Sequence, residues 1–437
     1  MKVAVFSPLN PIKSGISDYT QEVVLKLKEY VDIDLFVDGY KPCDAEIKKN
    51  FKIFNMEEIE NAEVRRNYDL IIYQIGNSYK HHEKIVNYSL KYPGIVEMHD
   101  FALHYLIAST LYTTGKHDEY IQVMKYCHGR NGEYTAKKFL RTLMNPPWDK
   151  RSLEFPVNKH ILDNSIGIIV HSDYALQMIK GMKVDKPLTK INLHSLEIIE
   201  DFDVYQKKCR AKLGIDQKKV ILGSFGFAST AKRIYEILEA LALLKKDYNN
   251  FIYYVIGEED NVDVRAKAEE LGLSKNVVIT GFVGLDKFSY YIGASDICFN
   301  LRYPTQGESS ASLHRALGMG KLVFVTKIGT FKEYPDNAVV KINYDQYEVQ
   351  NIYLKLIEIL KDKNKMIKMK ENALLFAKEN CSLESNCIKY YTFINDIING
   401  KKSKIDYIDT FVDGLYELEL HSEKYIKQLG ERVGAVI

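Results

Sequence analysis

The stretch Arg302–Val325, RYPTQGESSASLHRALGMGKLVFV, places a glycine, a glutamate and three hydroxyl side chains directly before an apolar-periodic run. Gly307, Ser309, Ser310, Ala311 and Ser312 open a predicted helix. Small residues there let backbone amides and hydroxyls face an anion, and the helix dipole favours negative charge. Arg302 leads into this turn and Glu308 sits within it, so the residue types suit a phosphate lying beside a sugar. The same residues also make an ordinary helix N-cap. A serine nucleophile is not indicated, because there is no G-x-S-x-G elbow and no base stands at a defined spacing.

Two further turns have similar chemistry. SPLNPIKSGISDYT follows a first strand and sets Gly15 before a helix with Ser17 and Asp18 in its first turn. A glycine at that place permits close backbone approach to a ligand. LGSFGFASTAKRIYEIL carries Gly223, Gly226 and Phe227, then small residues, then the cations Lys232 and Arg233 at a helix start. That pattern suits a diphosphate, but it lacks the GK[ST] of a P-loop and the spacing of a dinucleotide fingerprint, which argues against a kinase or a dehydrogenase. IVEMHDF ends a strand with His99 and Asp100, a hydrogen-bonding imidazole with a carboxylate to orient it. His171, after IGIIV, has the same placement.

The elements that must hold these turns are short apolar runs alternating with amphipathic helices: KVAVFS, YDLIIYQI and GIVEMH, then VILGSFG, FIYYVIG, DICFNL and KLVFVTK. Continuous apolar strands are what a parallel sheet covered on both faces requires, so the fold class is α/β. A chain of 437 residues with 46% hydrophobic content has material for two such sheets. In open sheets of this kind ligands bind beyond the carboxyl ends of the strands, where each of these turns falls. The expected division is an N-terminal Rossmann-like domain over residues 1–195 and a second over 196–400. A helical insertion at about 101–160 gathers basic and aromatic residues, Trp148 among them, that suit an acceptor, an anionic membrane surface or simply a solvated helix face, and a helical tail follows over 401–437. The tail's apolar residues recur three and four apart, as in a coiled coil or in a helix docked on the body.

A formal net charge of +2 offers no general attraction for nucleic acid. Six scattered cysteines without metal spacing fit reduced thiols in a cytoplasmic protein. Pro8 and Pro11 interrupt the N-terminal apolar run before a signal peptide could form, and no uncharged apolar stretch reaches the roughly 18 residues of a membrane span. Membrane contact is therefore expected to be peripheral.

As a set, SPLNPIKSGISDYT, EMHDFALHYL, GFASTAKRIYEILEAL, VVITGFV and RYPTQGESSASLHRALGMGKLVFVTKIGTFKEYPDN resemble the GT-B glycosyltransferases, specifically retaining family 4, over residues 1 to about 400. The resemblance implies a cleft between two Rossmann-like domains, a nucleoside diphosphate sugar as co-substrate held mainly by the second, a glycan or glycolipid acceptor held by the first, and a last helix that crosses back. It implies no cofactor and no metal, and a site at the inner face of the cell membrane. The D-x-D strings at Asp32 and Asp34 and at Asp201 and Asp203 fall in a strand and in the interdomain connection, poor places for a metal.

By the same resemblance Gly15 approaches the donor phosphates, His99 the donor sugar and Lys232 the diphosphate, with Glu308 as the donor-sugar carboxylate; Glu333 resembles a glutamate near the donor and equally suits a surface role. Asp100, His171 and Trp148 fall on the acceptor side. Two departures stand out. Phe227 occupies the usual place of an arginine, which leaves Arg233 or Arg302 as the second diphosphate cation. Arg315, on the donor side, replaces a glutamate that often binds ribose, and the ribose contact stays open. Alternatives from other classes are a non-catalytic partner subunit and a nucleotide-sugar epimerase.

Overall fold

The computed structural model describes residues 1–400 and contains two sheets in which every paired strand is parallel. The first comprises β1 (Lys2–Phe6), β2 (Asp32–Val37), β3 (Lys52–Asn55), β4 (Leu70–Ile75), β5 (Ile95–Met98), β6 (Gly167–Val170) and β7 (Leu188–Lys190), in the order β3-β2-β1-β4-β5-β6-β7. The second comprises β8 (Val220–Phe225), β9 (Phe251–Ile256), β10 (Val277–Gly281), β11 (Ile297–Asn300), β12 (Leu322–Thr326) and β13 (Val339–Ile342), in the order β10-β9-β8-β11-β12-β13. Strand order reverses between β1 and β4 and again between β8 and β11, the positions where such sheets open a crevice. Every residue of β4 and of β12 is buried, because helices cover both faces.

The helices follow from their apolar spacing. Gly15–Leu27 buries Tyr19, Val23, Val24 and Leu27 on one face, and Ser14 caps it by accepting from the Ile16 amide. Ile234–Asp247 does the same with Ile234, Ile237, Leu238, Leu241 and Leu244. Between β5 and β6 the chain runs through helices His104–Tyr112, His117–Leu140, Pro147–Lys150 and Lys159–Asn164. There Trp148 packs edge-on against Phe139, centroids 4.9 Å apart, and against His104. Its indole belongs to the packing of that helical segment.

The helix Leu383–Ile398 returns to the first sheet, where Cys387, Tyr390, Phe393 and Ile394 join a core containing Val5, Tyr19, Ile72 and Ile169. Burying four such side chains is worth on the order of 8 kcal/mol before the entropy of ordering the helix is subtracted. Gly167 makes the approach possible: a Cβ there would stand 2.5 Å from Cδ1 of Ile397. Of the two D-x-D strings, Asp34 on β2 pairs with Lys2 at 2.8 Å, and Asp201 caps the helix Phe202–Leu213. The apolar spacing from Ile405 onward lies outside the described residues. No helix among the described residues is long and apolar enough to cross a membrane.

Candidate functional site

The carboxyl ends of the two sheets face each other and touch. The Ala102 amide donates to the Gln306 carbonyl at 2.8 Å, Ser152 Oγ to the Thr305 carbonyl at 3.1 Å and Ser309 Oγ to the His171 carbonyl at 3.3 Å. Gly307 allows this contact. Its φ is +71°, and a Cβ would fall 2.8 Å from that of Phe101. At the rim Lys13 of the β1 loop pairs with Glu258 after β9 at 2.6 Å and lies over the Phe282 ring.

The loop after β11 is built around Glu308, which is 8% exposed. Its Oε2 accepts from Thr305 Oγ1 at 2.8 Å and from the Gln306 amide at 2.6 Å, while Oε1 lies 3.3 Å from Nη1 of Arg302. The buried Nε of Arg302 has no partner among the described residues. Ser310 binds Asn300 Oδ1 and meets Ser312. Its side chain makes no capping bond, so the helix Ala311–Gly318 begins without a side-chain cap.

Lys232 comes to the same place from β8. The chain turns at Gly226 with φ +81°, and a Cβ there would sit 2.6 Å from the Lys232 ammonium, which donates to the Phe225 carbonyl. Burial, reinforced by the Arg302 charge, pushes Lys232 well below the usual lysine range, and Glu308 works in the other direction. Opposite stand the ends of β4 and β5. Asp100 accepts from the Asn77 amide at 2.7 Å, and its carboxyl is pushed up to about 7, first by burial and then by the charge of Glu308. His99 binds Gln74 Oε1 through Nε2 at 2.6 Å, and burial holds it well below the ordinary histidine value, hence neutral. Gly15 has no atom within 4 Å of where its Cβ would lie, so its backbone is open to approach.

His99, Asp100, Lys232, Arg302 and Glu308 thus cluster at the meeting of the sheets, with Gly226, Gly307, Ser309, Ser310, Ala311 and Ser312 in the adjoining turns. Four other expected site residues have protein partners of their own. Arg233 is occupied by buried Glu348, 3.0 Å from its Nε, and by Glu236 at 2.7 Å, which leaves Arg302 as the second cation near Lys232. Arg315, itself buried, forms an ion pair with Glu22 of the first helix, so its guanidinium joins the two halves. The Glu333 carboxylate accepts from the Asp173 and Tyr174 amides at the start of the helix Asp173–Gly181. His171 is buried behind His99, with Nδ1 2.8 Å from the Ile191 carbonyl, and does not present itself to an acceptor. Phe227 is 45% exposed beside Gly226.

Several groups here were not picked out from the sequence: Gln74, Glu97, Tyr19 and Tyr390 behind His99, and Glu22 with His194 around Arg315. Glu97 alone left a signal, a carboxylate inside the apolar strand IVEM. Glu97, His99 and His171 each offer a potential ligand atom within 4.8 Å of the others, the arrangement among the described residues that could hold a metal ion.

Residues 206–375 match the model of the family described as glycosyl transferases group 1. No curated protein matches the sequence. Among solved structures the chain is similar to WaaG, a glycosyltransferase involved in lipopolysaccharide biosynthesis, at 14% identity and TM-score 0.60, over 92% of this chain and 100% of that one. It is similar to sucrose-phosphate synthase from Thermosynechococcus elongatus at 13% and 0.65, over 92% and 100%. It is also similar to Anabaena HepE in complex with UDP, at 13% and 0.61, over 90% and 99%. At such identities the likeness is one of fold. The fold is GT-B, and its second half carries a glycosyltransferase domain.

Proposed function

We propose that the chain is a retaining, family 4 glycosyltransferase that moves a hexosyl group from a nucleoside diphosphate sugar to a hydroxyl of a glycan or glycolipid in bacterial surface polysaccharide synthesis. The observation that carries this reading is the convergence of Lys232, Arg302 and Glu308 from one sheet on His99 and Asp100 from the other. A diphosphate beside Lys232 and Arg302 would favour the charged ammonium that burial disfavours, so donor binding and protonation of Lys232 support one another.

In the reaction the bond from the anomeric carbon to the departing phosphate oxygen breaks, and the acceptor oxygen bonds to that carbon on the same face. The acceptor proton passes to the departing phosphate. The two cations and the amides of the Ser309–Ser312 turn stabilise the charge that develops on the diphosphate, and closure of the halves excludes water. Gly15 and Phe227 border the donor, and Glu308 and His99 take its sugar hydroxyls. The first half receives the acceptor while the protein lies peripherally at the inner face of the membrane. UDP-sugars are the first donors to try, because HepE has been solved with UDP and with UDP-glucose.

A thermal-shift screen against UDP-, GDP-, dTDP- and ADP-sugars tests this, followed by assay of nucleoside diphosphate release with glycan acceptors present and absent. A donor-specific shift with acceptor-dependent release is expected. Absence of any shift in folded protein would overturn the reading in favour of a non-catalytic partner, and conversion of the donor without acceptor would favour an epimerase.

A further inference from the structure

Behind His99 lies a polar chain that the proposed chemistry does not use. Glu97, two residues earlier on β5, is fully buried. Its Oε2 accepts from Nε2 of Gln74 at 2.6 Å, and its Oε1 accepts from the hydroxyl of Tyr390 on the returning helix Leu383–Ile398. Tyr390 and Tyr19 join their hydroxyls at 2.6 Å. Because Glu97 holds the amino end of the Gln74 amide, its carbonyl end turns to His99 Nε2, also at 2.6 Å. A carbonyl oxygen can only accept, so Nε2 carries the proton and Nδ1 keeps the lone pair. Behind Glu97, His171 commits Nδ1 to the Ile191 carbonyl, and its Nε2, without a hydrogen-bond partner among the described residues, lies 3.4 Å from Glu97 Oε1.

We infer that Gln74, Glu97 and Tyr390 are positioning residues that lock His99 in its Nε2–H tautomer, so that its Nδ1 accepts a hydrogen bond from a donor-sugar hydroxyl, and that the seating of the last helix is transmitted to the donor site through them. This rests on the donor reading of His99 only for its consequence. The tautomer itself is a property of the protein without substrate.

The test is long-range 1H–15N correlation on histidine-labelled protein, with the His99 signals assigned through His99→Ala. Wild type should show the Nε2–H form. Gln74→Leu should yield mixed tautomers and lower kcat/KM about tenfold or more at unchanged secondary structure, while Glu97→Gln, which can still accept from Gln74, should remain within about threefold. Tyr390→Phe should fall between them. A His99 tautomer unchanged in Gln74→Leu overturns the proposal. So does a stoichiometric metal, found by elemental analysis of purified protein, whose chelation shifts the His99 and His171 signals, since the three side chains would then be ligands. A tautomer lost in Gln74→Leu in a protein that binds no nucleotide sugar upholds the relay and removes only the donor reading.

Discussion

The two walls of the cleft are made in opposite ways. On the second sheet, Glu308 is held by Thr305 and Gln306, partners two and three positions away, and the helix that follows begins in the same loop. On the first sheet, His99 is held by Gln74, which is held by Glu97, which is held by Tyr390, partners 23 and 293 positions apart along the last two links. A local wall fixes its carboxylate through a few contiguous residues. A long-range wall places its charge deep and commits it to joining segments. The difference separates residues whose loss should stop chemistry from residues whose loss should loosen the fold.

Lys232→Ala is the strongest test of the local wall. Turnover should fall by about two to three powers of ten, roughly 3–4 kcal/mol of transition-state stabilisation, with the circular dichroism spectrum and melting temperature near wild type. Near-normal turnover would remove Lys232 from the diphosphate. Arg315→Met tests the reverse case. Breaking its buried pair with Glu22 should cost about 3 kcal/mol in chemical denaturation, partly limited because Glu22 keeps His194 at 2.7 Å, while donor affinity stays unchanged. Weakened donor binding without lost stability would place Arg315 at the donor instead.

Glu97 sharpens the comparison through pH. Burial pushes its carboxyl up to about 7 against the opposing hydrogen bonds of Tyr390 and Gln74, so the folded protein holds this proton more tightly than the unfolded chain. The resulting stability is complete below the unfolded carboxylate value and disappears as pH rises towards 7. Glu97→Gln lacks that loss. Its stability relative to wild type should therefore improve by at most about 3 kcal/mol as pH rises from 4.5 to 7, measured by denaturant midpoint, and a constant difference would mean the carboxyl is ionised throughout. The smallest effect belongs to the rim. Lys13→Ala removes a half-exposed pair with Glu258 and should change stability by less than about 1 kcal/mol, an effect that diminishes further with added salt.

How much was legible in the sequence follows the same division. Apolar runs such as YDLIIYQI and KLVFVTK identified parallel strands because a two-faced sheet leaves no polar side to mark. The glycine turns at Gly226 and Gly307 were legible because they form within a few residues. The partners of Arg315, Arg233 and Glu333 were not legible for one shared reason: a charged side chain near the cleft is drawn as readily to a protein partner as to a ligand, and those partners, Glu22, Glu348 and the Asp173 and Tyr174 amides, lie up to hundreds of positions away. The burial of His171 was hidden similarly, since a strand end can point into the core behind its neighbour. Tyr390 carried no local mark at all. Its role exists only once the last described helix is seated on the first sheet.

That seating has a consequence for how the protein is made. Cys387, Tyr390, Phe393 and Ile394 complete a core whose other members are translated first, so a ribosome must finish the whole second half before the opening sheet can be sealed. During that interval the surface of β1, β4 and β6 that awaits them stays uncovered on the nascent chain. A stop codon placed after the second sheet would release a first half with an apolar face open to other chains, and its aggregation would be paid for by a helix encoded hundreds of residues away.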